Sequence, residues 1–170
     1  MSQYAPITGR ILQIDGQSAG YEQAGCSMTL MIDTMDQGIV NMNLDGSTYV
    51  LHNRRLNAGD FVTCFYSLFA PVPLIFPPVY RAVAIAHTDE GGHAVLDVFT
   101  QSYQGGHLIN SDYSLVLNVS GRTSRILPNG QFFGGSLSGK LLLATYGATT
   151  RSIPAQATPD VVVVFCGGTL

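Results

Sequence analysis

Asn43-Leu-Asp-Gly-Ser-Thr48 and Asn118-Val-Ser-Gly-Arg-Thr123 are two versions of one phrase, set in the two halves of the chain. What surrounds them repeats as well. Leu56-Asn-Ala-Gly-Asp60 is answered by Leu137-Ser-Gly-Lys140 with one residue deleted, and Ile75-Phe-Pro-Pro-Val79 by Ser152-Ile-Pro-Ala-Gln156. Tyr80-Arg-Ala-Val-Ala-Ile-Ala86 is then answered by Thr158-Pro-Asp-Val-Val-Val-Val164. Self-similarity in a fixed order is the mark of a duplicated structural unit. The seam falls in the polar, Gly-rich Thr88-Asp-Glu-Gly-Gly92, giving a first β repeat over 1–87, a linker over 88–92 and a second β repeat over 93–170.

The segments inside each repeat are short, β-branched and separated by Gly, Pro, Asn and Asp, as strands are. Strands are expected over Ile7–Asp15, Ser27–Thr34, Gly38–Leu44, Ser47–Leu51, Phe61–Phe69 and Tyr80–His87. The second repeat offers Ala94–Gln101, Tyr113–Val119, Thr123–Leu127, Lys140–Tyr146 and Val161–Cys166. Asp45-Gly46 between apolar alternations predicts a type I′ hairpin, which would make Gly46→Val destabilising through a forced positive φ. Ser120-Gly121 predicts the corresponding hairpin. The continuous run Val161–Phe165 reads as a strand covered on both faces. No long stretch keeps a helical period, although Thr48–Asp60 and Gln131–Lys140 have room for one helical turn each. The expected fold class is all-β: two tandem five-stranded OB-like barrels related by internal duplication. One interleaved barrel or sandwich of about ten strands is the alternative.

Composition narrows the partners. Of 170 residues, 46% are apolar and 11% charged, so the exterior must include apolar or neutral surface. Such surface marks contacts, and a homo-oligomer is expected. With a net charge of −3, a single lysine and scattered arginines, nothing resembles a phosphate-binding stripe, and nucleic acid is disfavoured. The run Ser67–Tyr80 is apolar but holds Pro71, Pro73, Pro77 and Pro78, which rule out a regular spanning helix. No membrane partner is expected. Met1–Arg10 lacks a basic stretch followed by an apolar run, and the odd, dispersed Cys26, Cys64 and Cys166 form no disulfide framework; a cytoplasmic location follows as an expectation.

No chemical motif stands out. His87 and His93 flank Asp89 and Glu90, but their spacing suits a solvated linker better than a metal site, and no metal or cofactor is expected. Gly135-Ser-Leu-Ser-Gly139 puts Leu137 where a nucleophile would stand. Buried, inert sulfur is the default for Cys64 and Cys166, while Cys26 lies in a Gly-bounded loop and should be exposed. The aromatic group Phe61, Phe65, Tyr66, Phe69, Phe76 and Tyr80 is read mostly as core, with Tyr66 on the opposite strand face and able to stack a ring. The loop Thr149-Thr-Arg-Ser152 with Gln156 is the second candidate. Arg151 could grip an anion bidentately, although Thr150 and Ser152 equally suit a hydroxyl-stapled turn before Pro154.

The stretch Tyr146-Gly-Ala-Thr-Thr-Arg-Ser-Ile-Pro-Ala-Gln-Ala157 resembles a phrase of uncharacterised proteins from clostridial and related Gram-positive bacteria. In these a Thr-x-Ser-x-Pro-Pro-Gln-like loop precedes the last strand. Pro73-Leu-Ile-Phe-Pro-Pro78 keeps two prolines without the Thr and Ser; the second repeat keeps Thr150 and Ser152 but has Ala155 for the second proline. The resemblance implies small β-barrels and brings no activity. The candidate ligand-binding residues are therefore Tyr66, Thr150, Arg151, Ser152 and Gln156. The role expected first is a non-enzymatic binding or assembly module. A small-ligand receptor or hydrolytic enzyme with a site between the halves is the alternative, and single-stranded nucleic acid ranks third.

Overall fold

The computed structural model describes residues 2–16, 21–89, 91–102 and 107–170. The chain divides into two compact units, the first Tyr4–Asp89 and the second Glu90–Leu170 together with Met1–Gln3. The first unit contains β1 (Tyr4–Gly16), β2 (Ser27–Thr34), β3 (Gly38–Asp45), β4 (Tyr49–Val50), β5 (Phe61–Ser67), β6 (Val79–Arg81) and β7 (Ala84–His87). The second contains β8 (His93–Gln101), β9 (Leu108–Asn110), β10 (Leu115–Leu117), β11 (Ser124–Ile126), β12 (Lys140–Tyr146), β13 (Ala155–Ala157) and β14 (Pro159–Phe165). Each unit is one seven-stranded sheet, ordered β4-β7-β5-β1-β2-β3-β6 and β11-β14-β12-β8-β9-β10-β13. The two orders are the same list with every label raised by seven. This is the duplication written in hydrogen bonds.

The count of seven arises because two strands of each repeat are broken. β3 and β4 are separated by Gly46–Thr48, and β6 and β7 by Ala82 and Val83 alone. β6 runs parallel to β3, and β7 runs parallel to β4 and antiparallel to β5. Across the break the Ala82 N–H still donates to Asn43 O at 2.8 Å and the Tyr49 N–H to Val83 O at 3.0 Å. Among the described residues no ladder joins the two edge strands β4 and β6 directly.

The Asp-Gly hairpin does not form. β3 lies against β2 and β6, and β4 against β7, so the strands flanking Asp45-Gly46 do not pair with each other. Gly46 has no positive φ and open space around its Cα, so the expected cost of Gly46→Val is withdrawn. The turn is instead a side-chain device. Asp45 Oδ1 accepts the Ser47 N–H at 2.9 Å, and the Thr48 hydroxyl donates to Ala82 O at 3.0 Å. The second unit repeats it: Ser120 Oγ accepts the Arg122 N–H at 3.2 Å, and the Thr123 hydroxyl donates to Pro159 O at 2.8 Å. This pairing makes Ala82 the counterpart of Pro159, one residue away from the alignment read in the sequence for the last strand.

Alternation accounts for β3, where Val40, Met42 and Leu44 point inward. Strands covered on both faces lack it: Leu141–Ala144 in β12 and Val162–Phe165 in β14 are buried throughout. The first core gathers Ile7, Ile11, Leu30, Ile32, Met42 and Ile85; the second gathers Phe99, Leu117, Leu142, Val162 and Val164. β1 serves two neighbours, pairing through Tyr4–Arg10 with β5 and through Gly9–Gly16 with β2. At the crossover sits Gly9, where a Cβ would overlap the carbonyl oxygen of Asp33. No α-helix occurs among the described residues; the 3₁₀ turn Leu51–Asn53 lies within Thr48–Asp60, and Gln131–Lys140 holds no helical turn.

Candidate functional site

Two equivalent loops connect β5 to β6 and β12 to β13, and each reaches its strand through a cis proline, Phe76-Pro77 in one and Ile153-Pro154 in the other. The first has no charged residue from Ser67 to Tyr80. Its prolines lack the N–H a sheet ladder needs, so the segment stays outside the sheet. Leu68, Phe69, Val72, Leu74, Ile75 and Phe76 all face solvent, Phe69 at 79% and Phe76 at 90% exposure. The sequence reading placed these aromatics mostly in the core. Phe65 is there, but Phe69 and Phe76 are not, because β5 ends at Ser67 and strand parity has no meaning beyond it.

The second loop is polar and tied to its own strand. The Thr150 N–H donates to Gln156 O at 2.9 Å, and the Gln156 N–H returns to Thr150 Oγ1 at 3.0 Å. Thr150 Oγ1 and Ser152 Oγ share a hydrogen bond of 2.7 Å, and Ser152 Oγ donates to Pro154 O at 2.8 Å. Asn118, just past β10, donates from Nδ2 to Gln156 Oε1 at 3.1 Å. Beside this brace lies an open cavity of about 490 Å³ lined by Asn118, Gly147, Ala148, Thr149, Thr150, Gln156, Ala157 and Thr158. Thr150, Ser152 and Gln156 are thus brought together, with Thr150 and Gln156 on the cavity wall. Arg151 is exposed and does not line it. Thr149, at the head of the candidate loop, lines the wall as well, whereas Asn118 and Thr158 were missed. The repeated phrase contained Asn118, but only the parallel pairing of β10 with β13 carries it to Gln156.

Tyr66 belongs to the first unit. Its ring lies 4.4 Å from that of Tyr80 at 39°, and it packs on the first core. Burial, then the neighbouring Tyr80, pushes its phenol above the ordinary value. The counterpart Tyr146 stacks on His93 at 5.4 Å and is likewise raised by burial. The face of Tyr66 is therefore shared with Tyr80.

The remaining reactive groups are set in the framework. His87 Nε2 lies 2.9 Å from Asp60 Oδ2, and the hydrogen bond from His87, then that from the Asn57 N–H, holds the Asp60 carboxyl below its usual range. His87 Nδ1 is enclosed without a partner, so no substrate reaches the far side of this ring. Cys64 is fully buried, and burial pushes its thiol far up. Cys26 is exposed as expected. Cys166 is exposed too, against expectation, because β14 ends at Phe165 and Cys166 lies beyond the covered strand. Among the described residues no three His, Cys, Asp or Glu side chains converge on a metal position; Glu90, considered with His87 and His93, lies outside those residues.

No known protein family, curated protein or solved structure matches this chain. No described helix is long and apolar enough to cross a membrane.

Proposed function

We propose that this protein is a non-enzymatic assembly module whose copies associate through the apolar loop 68–76. One observation carries the reading: six large apolar side chains exposed on a single charge-free loop. With roughly 150–250 Å² for each aromatic alone, the loop offers several hundred Å² of apolar surface. This approaches the ~800 Å² that each partner contributes to an interface of standard size. Its equivalent in the second unit makes the same connection with Thr and Ser, so the sheet does not require apolar residues there. A chain with 11% charged residues also presents little repulsion between copies, which favours a second copy as the occupant.

In this reading each unit is an OB-like barrel, the broken strands β3/β4 and β6/β7 running side by side to bring the ends of the sheet together. The bacterial setting rests on the resemblance of the Tyr146–Ala157 phrase to proteins of Gram-positive bacteria, and the cytoplasmic one on three dispersed free thiols, Cys26, Cys64 and Cys166. The test is sedimentation velocity on the full chain and on the triple variant Phe69→Ser, Leu74→Asp, Phe76→Ser. The parent should sediment as an oligomer and the variant as a folded monomer. A monomeric parent, or a variant that still assembles, overturns the proposal.

A further inference from the structure

The cavity of the second unit has a chemistry of its own. Its polar side chains are all neutral amides or hydroxyls: Asn118, Thr149, Thr150, Gln156 and Thr158. Several are already committed. Thr150 Oγ1 accepts from the Gln156 backbone and is shared with Ser152, and Gln156 Oε1 accepts from Asn118. Gln156 Nε2 and the hydroxyls of Thr149 and Thr158 have no intramolecular partner among the described residues. These leftovers are two donor hydrogens on a held amide and two groups that both donate and accept, and Asn118 Oδ1 adds a buried acceptor with no partner. The rest of the wall is small: Gly147, Ala148 and Ala157.

We propose that this cavity binds a neutral, hydroxyl-rich ligand of the carbohydrate class. Each ring hydroxyl of a sugar is both donor and acceptor, matching the free groups of Gln156, Thr149 and Thr158, while its C–H face suits the small apolar wall. The volume of about 490 Å³ accommodates a sugar ring and falls within the roughly 300–1,000 Å³ of small-ligand sites. An anion would give up hydration with no ionic partner on the wall, since no Arg, Lys or His lines it and Arg151 lies outside. The brace among Thr150, Ser152, Pro154 and the Gln156 backbone fixes the loop, and the bond from Asn118 Nδ2 to Gln156 Oε1 holds the side-chain amide before the ligand arrives, lowering the ordering cost of binding. No acid, base or thiol touches the cavity, so the site retains its ligand rather than transforming it.

This inference stands on the second unit alone and is independent of assembly through loop 68–76. It is tested by amide NMR titration of the full-length ¹⁵N-labelled chain with glucose, N-acetylglucosamine, maltose and cellobiose, and separately with inorganic phosphate. The expected result is saturable, sugar-dependent shifts at the Gln156 side-chain amide and at Thr149 and Thr158. Gln156→Ala should weaken binding at least about tenfold, the equivalent of ~1.4 kcal/mol. Thr158→Val should weaken it less, and Arg151→Ala should leave it unchanged. Absence of saturable shifts with every sugar, sugar binding indifferent to both Gln156→Ala and Thr158→Val, or saturation by phosphate that depends on Arg151 would each overturn the proposal.

Discussion

Loop 68–78 and loop 147–154 leave equivalent strands, arrive at equivalent strands and turn through equivalent cis prolines, yet share almost no chemistry. One shows solvent leucine and phenylalanine; the other shows hydroxyls, with Ile153, fully exposed beside its proline, as its large apolar residue. Two copies of one sheet, differing most where neither sheet constrains the chain, teach that the framework was kept while the loops were free to specialise. Position within the fold therefore does not explain the apolar loop, which must be read as a surface. The same comparison extends to three places where equivalent positions hold different residues, and each can be broken by substitution.

The largest effect is expected at the crossover of the first strand. Gly9 pairs with Val62 and its equivalent Asp97 with Leu142. A side chain at Gly9 would overlap the Asp33 carbonyl, whereas Asp97 is accommodated, buried, and accepts the N–H and hydroxyl of Ser111 at 3.1 and 2.7 Å. Gly9→Ala should thus cost the first unit about 4 kcal/mol or more, because backbone rather than a flexible side chain must move. Asp97→Ala should cost the second unit about 1–3 kcal/mol, the usual loss when buried donors lose their acceptor. Urea unfolding followed by residue-resolved NMR separates the units. Equal costs would mean that the two crossovers are not built differently.

These contrasts also mark how far the sequence could be read. The duplicated phrases and the β-branched segments between turns exposed the two all-β units, because repetition and period are local. The pairing of strands was not local. Asp45-Gly46 carries the usual hairpin dipeptide, but Thr48 is bonded to Ala82, far along the chain, and that bond draws β4 onto β7 instead of back onto β3. The candidate site was half visible for the same reason. Thr150, Ser152 and Gln156 form a contiguous motif, whereas Asn118 joins them only through strand pairing. Phe69 and Phe76 were misplaced by the rule that aromatics are buried, which fails in a proline-rich segment that cannot enter the sheet.

A smaller effect is expected at the turns entering β3 and β10. Gly38 has φ +74°, and Tyr113 holds φ +59° at the corresponding position while 72% exposed. Left-handed backbone costs a residue with a Cβ roughly 1–2 kcal/mol, and glycine escapes this. Tyr113→Gly should therefore stabilise the second unit, and Gly38→Ala should destabilise the first, each by about 1 kcal/mol, as measured by urea midpoints at constant m. A loss of stability in Tyr113→Gly would mean that the exposed tyrosine ring makes a contact outweighing its backbone cost.

The smallest effect concerns acid. Asp60, the residue before β5, accepts from the Asn57 N–H at 2.9 Å and contacts His87 of β7 at 2.9 Å; the equivalent Lys140 donates to Ser136 O at 2.8 Å, a backbone carbonyl rather than an acid. The Asp60 carboxyl is held low in the folded chain, by the His87 hydrogen bond first, so it favours folding at pH above the unfolded carboxylate value of about 3.9. That contribution disappears as pH falls through the lower folded value. Acid should consequently loosen the pairing of β5 with β7 before that of β12 with β14, seen as earlier loss of the Thr63 and Ile85 amide signals than of Leu143 and Val163 in a titration downward from pH 5. Asp60→Asn should remove this difference between the units near pH 3 while lowering the stability of the first at neutral pH. Asp45 in one unit and Asp112 in the other are also held low, each by a neighbouring serine first, so each unit carries one further carboxylate of this kind and the contrast at Asp60 is read from the strands that flank it. Simultaneous loss of all four signals, or an Asp60→Asn chain with the parent's acid profile, would show that the His87 contact does not set the order in which the repeats open.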